Sequence, residues 1–388
     1  MQDLGRRSSL PDSDFESAPS GRGRAASQSL SAAGLRILES SEAEHSHLEA
    51  ARPAVQHGAM ALYLVTGGAG FIGSHLTEAL VRRGDRVRVV DDLSTGQRAN
   101  LEHLPIGALG SGQPVEFLEA SILDRAALRT ALRGVEGVFH EAAQVSVPRS
   151  IEAPLASYEV NVTGTLNLLE SARENRVGTL VFAASSAAYG NTETLPKEEH
   201  MLPQPLSPYA SGKVAGEHLL RVYSECYGMR TVALRYFNIF GPRQADDSPY
   251  TGVIAIFARA LLQGTAAPRI YGDGLQSRDF TYIDNVVLAN LLALERAPAG
   301  HSLFNVGAGE QVTLLDLYGA MAQELGVTLA PEFHPPRAGD VRHSLASLER
   351  IRATLGYEPR VGWREGLRQT VAWYRERHRR AAPVNTNS

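Results

Sequence analysis

A tyrosine and a lysine with the spacing of a proton-transfer pair lie near the middle of the chain. Tyr209 and Lys213 bound the segment Tyr-Ala-Ser-Gly-Lys, so on a helix both side chains lie on one face. A free tyrosine, with a pKa of about 10, is a poor base at neutral pH, but a neighbouring ammonium favours its phenolate. The phenolate can remove a proton from a substrate hydroxyl. This spacing is common on protein surfaces, and the interpretation gains weight from Ser185-Ser186, which end a predicted strand upstream.

A glycine-rich turn, Gly67-Gly-Ala-Gly-Phe-Ile-Gly73, predicts a dinucleotide site, because a β-rich apolar strand precedes it and a helix follows. Gly67 allows the tight turn, and Gly70 lets the backbone approach a pyrophosphate at the positive end of the helix. Gly73 lets the helix and the strand pack closely. The positive nicotinamide ring of such a cofactor would add to the charge of Lys213 beside the phenol and would accept hydride as the proton leaves.

Asp91 ends the next predicted strand, about 20 residues beyond the turn, where an acidic residue accepts hydrogen bonds from the adenosine ribose. Its carboxylate would repel the 2′-phosphate of NADP, and no arginine occupies that corner, so we predict NAD. Ser94, Thr95 and Gly96 follow. They could bind the phosphate or the ribose on the adenosine side, or form a plain loop.

The elements around these residues alternate between strand and helix, which is typical of a doubly wound α/β sheet. Strands are predicted at Ala61–Thr66, Arg86–Asp91, Gly137–His140, Leu180–Ala184 and Thr231–Tyr236. Helices are predicted at Phe71–Arg83, about Ile151–Asn175 and Ser211–Tyr227. We therefore expect a parallel Rossmann sheet over 60–237, to which later segments return. A smaller mixed C-terminal lobe over 238–376 binds the substrate, and 377–388 form a tail.

Composition excludes several classes of partner. The net charge of −4 over 388 residues provides no basic field for nucleic acid or for an anionic membrane. No apolar run approaches the roughly 20 residues of a membrane span. The single cysteine, Cys226, excludes an internal disulfide and a multi-cysteine metal site, and it fits a reducing compartment. We expect a cytoplasmic protein without a metal.

Residues 1–58 have a different composition, rich in Ser, Ala, Arg, Gly and Glu and poor in large apolar residues. We interpret them as a disordered extension or as an over-called start, with Met60 as a candidate initiator. A transit peptide is a weaker alternative, because such peptides avoid acidic residues and this segment contains several.

Several segments stand in the order of one family. They are Thr66-Gly-Gly-Ala-Gly-Phe-Ile-Gly73, His140-Glu-Ala-Ala143, Asn161-Val-Thr-Gly164, Ser185-Ser-Ala-Ala-Tyr-Gly190, Ser207-Pro-Tyr209 with Lys213, and Arg235-Tyr-Phe-Asn-Ile-Phe-Gly-Pro242. Together they resemble the extended short-chain dehydrogenase/reductase superfamily. Within it the chain is similar to the UDP-hexose 4-epimerases of the UDP-glucose and UDP-N-acetylglucosamine types, from about Met60 to Glu376.

The resemblance implies a mechanism and roles for the residues. The C4 hydroxyl of the sugar is oxidised to a ketone, which takes the hydride back on its other face, so NAD is regenerated in each cycle and stays bound. Tyr209 is implied as the base and then the acid. Lys213 tunes it and binds the nicotinamide ribose, and Ser185 shares the proton path, with Ser186 the weaker candidate.

The resemblance also implies contacts to the cofactor and the substrate. The further cofactor-binding residues are Phe71, Ile72, Ile122, Ala142, Ala143, Asn161, which supports the site geometry, and Tyr236, beside the nicotinamide. The substrate-binding residues are Asn238, Arg278 and Arg337 at the diphosphate, Asp340 at the uridine ribose, Tyr271 stacked on uracil, and Ser344. The small Ser344 is implied to admit a 2-N-acetyl group, so we expect UDP-GlcNAc/UDP-GalNAc to be accepted and UDP-Glc/UDP-Gal also to fit. A homodimer formed through a helix pair is implied as well.

Other functions stay open at this point. A sugar-nucleotide 4,6-dehydratase needs further acid and base groups, typically Thr-Asp-Glu where this chain has Ser185-Ser-Ala187. A UDP-glucuronate 4-epimerase or decarboxylase is closer and is only weakly excluded. A non-catalytic NAD-sensing module would tend to lose Tyr209 or Lys213, and both are present.

Overall fold

Runs of β-branched and aromatic residues form a parallel sheet that is buried on both faces, which is why they show little polar alternation. A computed structural model of the protein describes residues 60–245, 252–264, 267–336 and 341–381, all within one compact unit, His57–Ser388. The strands in these ranges are β1 Leu62–Thr66, β2 Arg86–Asp91, β3 Ile106–Ala108, β4 Val115–Glu119, β5 Gly137–His140, β6 Thr179–Ser185, β7 Arg230–Tyr236, β8 Asn238–Phe240, β9 Arg269–Tyr271, β10 Ser277–Arg278, β11 Phe280–Tyr282, β12 His301–Val306, β13 Val312–Thr313 and β14 Glu332–His334.

The helices connect the strands across both faces of the sheet. In the described ranges they are α1 Phe71–Arg82, α2 Arg125–Ala131, α3 Val147–Glu152, α4 Pro154–Tyr158, α5 Thr165–Glu174, α6 Pro208–Tyr227, α7 Val253–Gln263, α8 Ile283–Arg296, α9 Leu314–Leu325, α10 Glu349–Leu355 and α11 Trp363–Ala381. None of the described helices is long and apolar enough to cross a membrane.

The main sheet has the order β12-β7-β6-β5-β1-β2-β4-β3 among the described strands, and every pair in it is parallel. The strand order reverses between β1 and β5, where Thr66 faces Val90 on one side and His140 on the other. Ligands of doubly wound sheets bind at the carboxyl ends of the strands at such a reversal. The predicted α/β fold with a parallel sheet is therefore confirmed, with β2 and β5 at the predicted bounds.

Two apolar cores cover the two faces of the sheet. One contains Val65, Val89 and Leu234 with side chains of α1 and α8. The other contains Leu64 and Phe182 with side chains of α2, α5 and α6. Successive residues of one strand, such as Leu64 and Val65, enter opposite cores, as the pleat requires.

The helix predicted over about Ile151–Asn175 is confirmed from Pro154 to Glu174, and its predicted start is wrong because α3 ends at Glu152. The chain forms α3, α4, a π-helical turn at Glu159–Gly164 and then α5. Pro154 begins a new helix, because proline cannot donate the backbone hydrogen bond that would continue α3. The π-helical turn contains Asn161, whose side chain is buried against the neighbouring loop.

Short strand pairs follow the main sheet in the chain. β8 pairs with β11, β9 with β14, and β10 with β13. Between them the chain returns to the main sheet, because β12 pairs with β7 along its whole length. The elements from β8 to β11 therefore lie, along the chain, between β7 and β12, which are neighbouring strands of the large sheet.

Candidate active site

The glycine-rich turn joins β1 to α1, and its close packing against neighbouring backbone requires glycine at two positions. Gly67 has a φ of +67°, and a Cβ there would lie 2.7 Å from the backbone nitrogen of Ala142. A Cβ on Gly73 would collide with the carbonyl oxygen of Gly67. Gly70 caps α1 without a side-chain hydrogen bond, so the first N–H groups of the helix remain available to an anion.

Asp91 is a buried carboxylate at the carboxyl end of β2. Its Oδ2 accepts a hydrogen bond of 2.9 Å from the Ala69 N–H, and its Oδ1 accepts one of 2.9 Å from the Leu93 N–H. Burial raises the pKa of Asp91, and these backbone donors oppose the shift. A Cβ on Gly96 would lie 2.6 Å from Oδ1, so the glycine gives the carboxylate its space. Asp91 thereby fixes the turn while it remains at the cavity wall.

One large cavity, with a volume of about 1770 Å³, runs along the carboxyl edge of the sheet. The predicted site residues that line it are Gly67, Gly70, Phe71, Ile72, Gly73, Asp91, Ser94, Thr95, Gly96, Ile122, Ala142, Ala143, Ser185, Ser186, Tyr209, Lys213, Tyr236, Asn238, Arg278 and Ser344. The fold thus brings the glycine turn, the tyrosine–lysine pair and substrate-lobe residues to one space.

Tyr209 and Lys213 lie on the first turns of α6. The helix begins at Pro208, earlier than predicted, because the Ser207 hydroxyl accepts a hydrogen bond from the Ala210 N–H and proline suits the first helical position. The Lys213 Nζ donates a hydrogen bond of 2.7 Å to the carbonyl of Ala183. The side chain of Lys213 is thereby held against the end of β6.

The electrostatics of the pair are set by burial. Burial lowers the pKa of Lys213, and the carboxylates of Glu141 and Glu217 oppose that shift. Burial raises the pKa of Tyr209, and a hydrogen bond with Ser185 opposes it. Further positive charge beside the phenol is therefore needed to bring it to its phenolate near neutral pH.

Glu141 is a residue to which the sequence analysis assigned no role. It follows β5 directly and lines the cavity. Its Oε1 accepts a hydrogen bond of 2.9 Å from the Tyr236 hydroxyl, which in turn accepts one of 2.7 Å from Asn290. Burial raises the pKa of Glu141, and Tyr236 and Lys213 oppose the shift. One sequence signal could have identified Glu141. It is a charged residue directly after an apolar strand, β5, which lies beside the strand that precedes the glycine turn.

Asn238, Arg278 and Ser344, three of the predicted substrate-binding residues, line the same cavity. The Arg278 Nη1 donates to the carbonyls of Ser277, at 3.0 Å, and of Arg342, at 3.2 Å. The Ser344 N–H donates to the Ser277 carbonyl at 3.1 Å. The backbone of β10 therefore positions both side chains. Arg337 and Asp340, the other predicted substrate residues, lie outside the described residues.

Two predicted contact residues do not line the cavity. Asn161 is buried behind the wall, where its carboxamide accepts from the Gln144 N–H at 2.9 Å and donates to the Gln144 carbonyl at 3.0 Å. It supports the loop after β5. Tyr271, which was expected to stack on uracil, packs against His334 with the ring centroids 5.6 Å apart.

Asp279 is a second buried carboxylate, close to the junction of the lobe and the sheet. Its oxygens accept hydrogen bonds from the N–H groups of Ala308, Gly309 and Ala346, at 2.7, 3.0 and 3.2 Å, and from the Thr281 hydroxyl. It does not line the cavity. Its hydrogen bonds therefore stabilise the fold.

The cavity fits a dinucleotide such as NAD. The glycine turn lines the cavity without side chains, the first N–H groups of α1 can face a pyrophosphate, and Asp91 lies at the next strand end. Glu141 adds a buried oxygen, Oε2, that has no hydrogen-bond partner among the described residues.

Comparison with known proteins gives consistent matches. The sequence model of the NAD dependent epimerase/dehydratase family matches residues 63–307. UDP-glucose 4-epimerase of Mycolicibacterium smegmatis is 41% identical over 317 residues, which are 81% of this chain and 98% of that protein.

Two solved structures also resemble the chain. A UDP-glucose 4-epimerase of Thermus thermophilus, in complex with NAD, has a TM-score of 0.72 and 41% identity, covering 81% of this chain and 99% of its own. A UDP-N-acetylglucosamine 4-epimerase of Methanobrevibacter ruminantium, in complex with UDP-N-acetylmuramic acid, has a TM-score of 0.76 and 36% identity, covering 82% and 99%.

Proposed function

The chain belongs to the NAD dependent epimerase/dehydratase family, and we propose that it inverts C4 of a UDP-hexose or a UDP-N-acetylhexosamine. The observation that carries the proposal is the meeting of Tyr209, Lys213 and Ser185 in the same cavity as the glycine turn. The M. smegmatis and T. thermophilus relatives are UDP-glucose 4-epimerases, which supports this choice among the reactions open to such a site.

The chain's own residues divide the work of binding and proton transfer. Gly67, Gly70 and Gly73 would hold the pyrophosphate and Asp91 the adenosine ribose. The chemistry that NAD supplies when bound is reversible acceptance of hydride from C4 of the sugar. Tyr209 removes the proton of the C4 hydroxyl and later returns it.

Ser185 and Lys213 assist Tyr209 in different ways. The hydrogen bond from Ser185 opposes the rise in the pKa of Tyr209 that burial causes. The Ser185 side chain also orients the C4 hydroxyl of the substrate. Lys213, one helical turn away, is fixed by the carbonyl of Ala183 and supplies positive charge.

Direct measurement of the two epimers by NMR tests this proposal. Purified protein is incubated separately with UDP-Glc, UDP-GlcNAc and UDP-GlcA. We expect interconversion of UDP-Glc with UDP-Gal and of UDP-GlcNAc with UDP-GalNAc, without added NAD if the cofactor is retained. Absence of turnover with all three sugars contradicts the epimerase assignment, and turnover of UDP-GlcA alone replaces it with a glucuronate epimerase or decarboxylase.

Ser344 is proposed to set the size of the sugar pocket. The serine lines the cavity and leaves space that a tyrosine would occupy. Ser344→Tyr should reduce kcat/KM for UDP-GlcNAc relative to UDP-Glc by about tenfold or more, since steric exclusion of a substituent commonly costs over 1 kcal/mol. Ser344→Ala, which keeps the residue small, is the matched control. An unchanged ratio in Ser344→Tyr would remove Ser344 from this role.

We propose a homodimer formed through helices on one face of the sheet. Leu155 of α4 is 85% exposed, and Leu166 of α5 and Val222 of α6 are also exposed. α4 and α5 both pack against α6, so these apolar side chains belong to neighbouring helices. Light scattering during size-exclusion chromatography tests this assembly. A cytoplasmic location also stays a prediction.

A further inference from the structure

Glu141 is a partly buried acid of the cavity wall whose hydrogen bonding is incomplete. One oxygen, Oε1, accepts the hydrogen bond from Tyr236, while Oε2 is buried without a hydrogen-bond partner among the described residues. An unsatisfied buried polar atom costs about 1–3 kcal/mol. Glu141 itself lines the cavity, so its charge can act at short range on a cation bound there.

The position of Glu141 lies between the two ends of the cofactor site. A Cβ on Gly67 would lie 2.9 Å from the carbonyl carbon of Glu141, so the glycine turn and Glu141 are in backbone contact. The side chain of Glu141 acts electrostatically on both Tyr209 and Lys213. A dinucleotide with its pyrophosphate on the turn and its reactive ring beside Tyr209 must therefore pass Glu141.

The groups around Glu141 determine which charge the cavity presents to a bound cofactor. The titratable groups that face Glu141 are Tyr209 and Lys213 of α6 and Tyr236 of β7. Neighbouring His140 points into the sheet, where it contacts Thr66 and Thr165. Before a cofactor binds, the two phenols are neutral and Lys213 is an ammonium, so Glu141 is the carboxylate at this position that can face an oxidised nicotinamide ring, which is a cation. The reduced ring is neutral and gains nothing from it.

We propose that Glu141 is the counter-charge of the oxidised nicotinamide ring and makes the cavity prefer NAD⁺ over NADH. The inference rests on the NAD assignment and adds a determinant of redox-state selectivity to it. Its functional consequence is that hydride is returned readily to the sugar, because the enzyme is more stable with the oxidised cofactor bound. Tyr236, held by Asn290, keeps the carboxylate in place.

A competition experiment measures this preference without turnover. The purified protein is equilibrated with an equimolar mixture of NAD⁺ and NADH, freed of unbound nucleotide and extracted, and the two bound forms are quantified. Glu141→Gln keeps the shape and an acceptor for Tyr236 but removes the charge. We expect the bound NAD⁺:NADH ratio to fall by about tenfold or more relative to wild type, which is the modest end of a charge–charge interaction at close range.

The matched control is Glu136→Gln, because Glu136 is exposed just before β5 and lies at its opposite end. This variant removes the same charge from the same part of the chain and should keep the wild-type ratio. Equal ratios in wild type and Glu141→Gln overturn the inference. Failure of the wild type to retain either nucleotide would instead overturn the cofactor assignment itself.

A pH series on the wild type decides the matter even where Glu141→Gln fails to fold. Because burial raises the pKa of Glu141, the carboxyl group takes up a proton as the pH is lowered from 8 towards 5. Loss of the charge should lower the bound NAD⁺:NADH ratio over this range. A ratio that stays constant in the wild type contradicts the proposal.

Discussion

Two carboxylates in this protein, the buried Asp279 and the partly buried Glu141, have opposite surroundings. Asp279 receives three backbone N–H groups and a hydroxyl, so its charge is satisfied within the fold. Glu141 receives one phenol, and its second oxygen has no partner among the described residues. Burial raises the pKa of both groups, so burial alone does not distinguish them. The difference lies in the donors: the chain supplies hydrogen bonds to both oxygens of Asp279, whereas it supplies one to Oε1 of Glu141 and none to Oε2 among the described residues.

The largest effect is expected for the cavity, in Tyr209→Phe. Removal of the hydroxyl abolishes proton transfer, so turnover should fall by about 10²- to 10⁴-fold. The free energy of unfolding should stay within about 1 kcal/mol of wild type, because the ring remains buried. Activity is measured by NMR of the sugar epimers and stability by urea unfolding of the same preparation. Near-wild-type turnover would contradict the proposed role of Tyr209.

The next largest effect is expected on the free energy of unfolding, when Asp279 is replaced. Asp279→Asn replaces an acceptor by an amide that presents N–H groups to backbone donors, so it should lower the free energy of unfolding by about 3 kcal/mol. Urea unfolding followed by circular dichroism measures this change. A variant as stable as wild type would show that the hydrogen bonds of Asp279 do not hold the lobe to the sheet.

His140, buried in the main sheet, gives a pH-dependent effect. Burial, together with the charge of Lys213, lowers its pKa to about 3, while its ring contacts the hydroxyls of Thr66, at 2.8 Å, and Thr165, at 3.0 Å. Below pH 6.5 the unfolded chain takes up a proton that the folded protein refuses, so stability falls with falling pH. Between pH 7 and pH 5 this proton uptake lowers the free energy of unfolding by about 2 kcal/mol. His140→Gln should remove this part of the pH dependence. Parallel stability–pH curves for the two proteins would contradict it.

The smallest effect on stability is expected for Glu141→Gln. The amide oxygen still accepts from Tyr236 and no satisfied charge is lost, so the free energy of unfolding should change by less than about 1 kcal/mol. Thermal and urea unfolding measure it beside Asp279→Asn. A loss as large as that of Asp279→Asn would make Glu141 a structural acid and remove the contrast between the two carboxylates.

The strand–turn–helix units were the part of the fold most accessible from sequence. β2 and β5 have the predicted bounds because their apolar runs end at Asp91 and His140, where polar chemistry begins. The break of the helix after α3 was missed, although Pro154 is visible in the sequence, because the apolar periodicity continued across it. The predicted start of α6 at Ser211 is too late for a similar reason, because the cap formed by Ser207 and Pro208 precedes the apolar periodicity of the helix.

The candidate site was accessible where its residues are close in sequence or in a recurrent motif. Tyr209, Lys213 and the glycine turn were therefore found. The environment of Glu141 depends on Tyr236 and Asn290, which are far along the chain and meet it only after the sheet and α8 assemble. Residue types alone contain no information on such a contact.

The return of the chain to β12 has a consequence for biosynthesis. β12 pairs with β7 from His301 to Val306, so the outer edge of the large sheet stays open until these residues leave the ribosome. The segment from β8 to α8 is translated before β12, so it leaves the ribosome while the edge of β7 is still unpaired. The sheet and the adjoining lobe are therefore completed together, and an arrested chain that ends before β12 would present β7 to other strands as a site of aggregation.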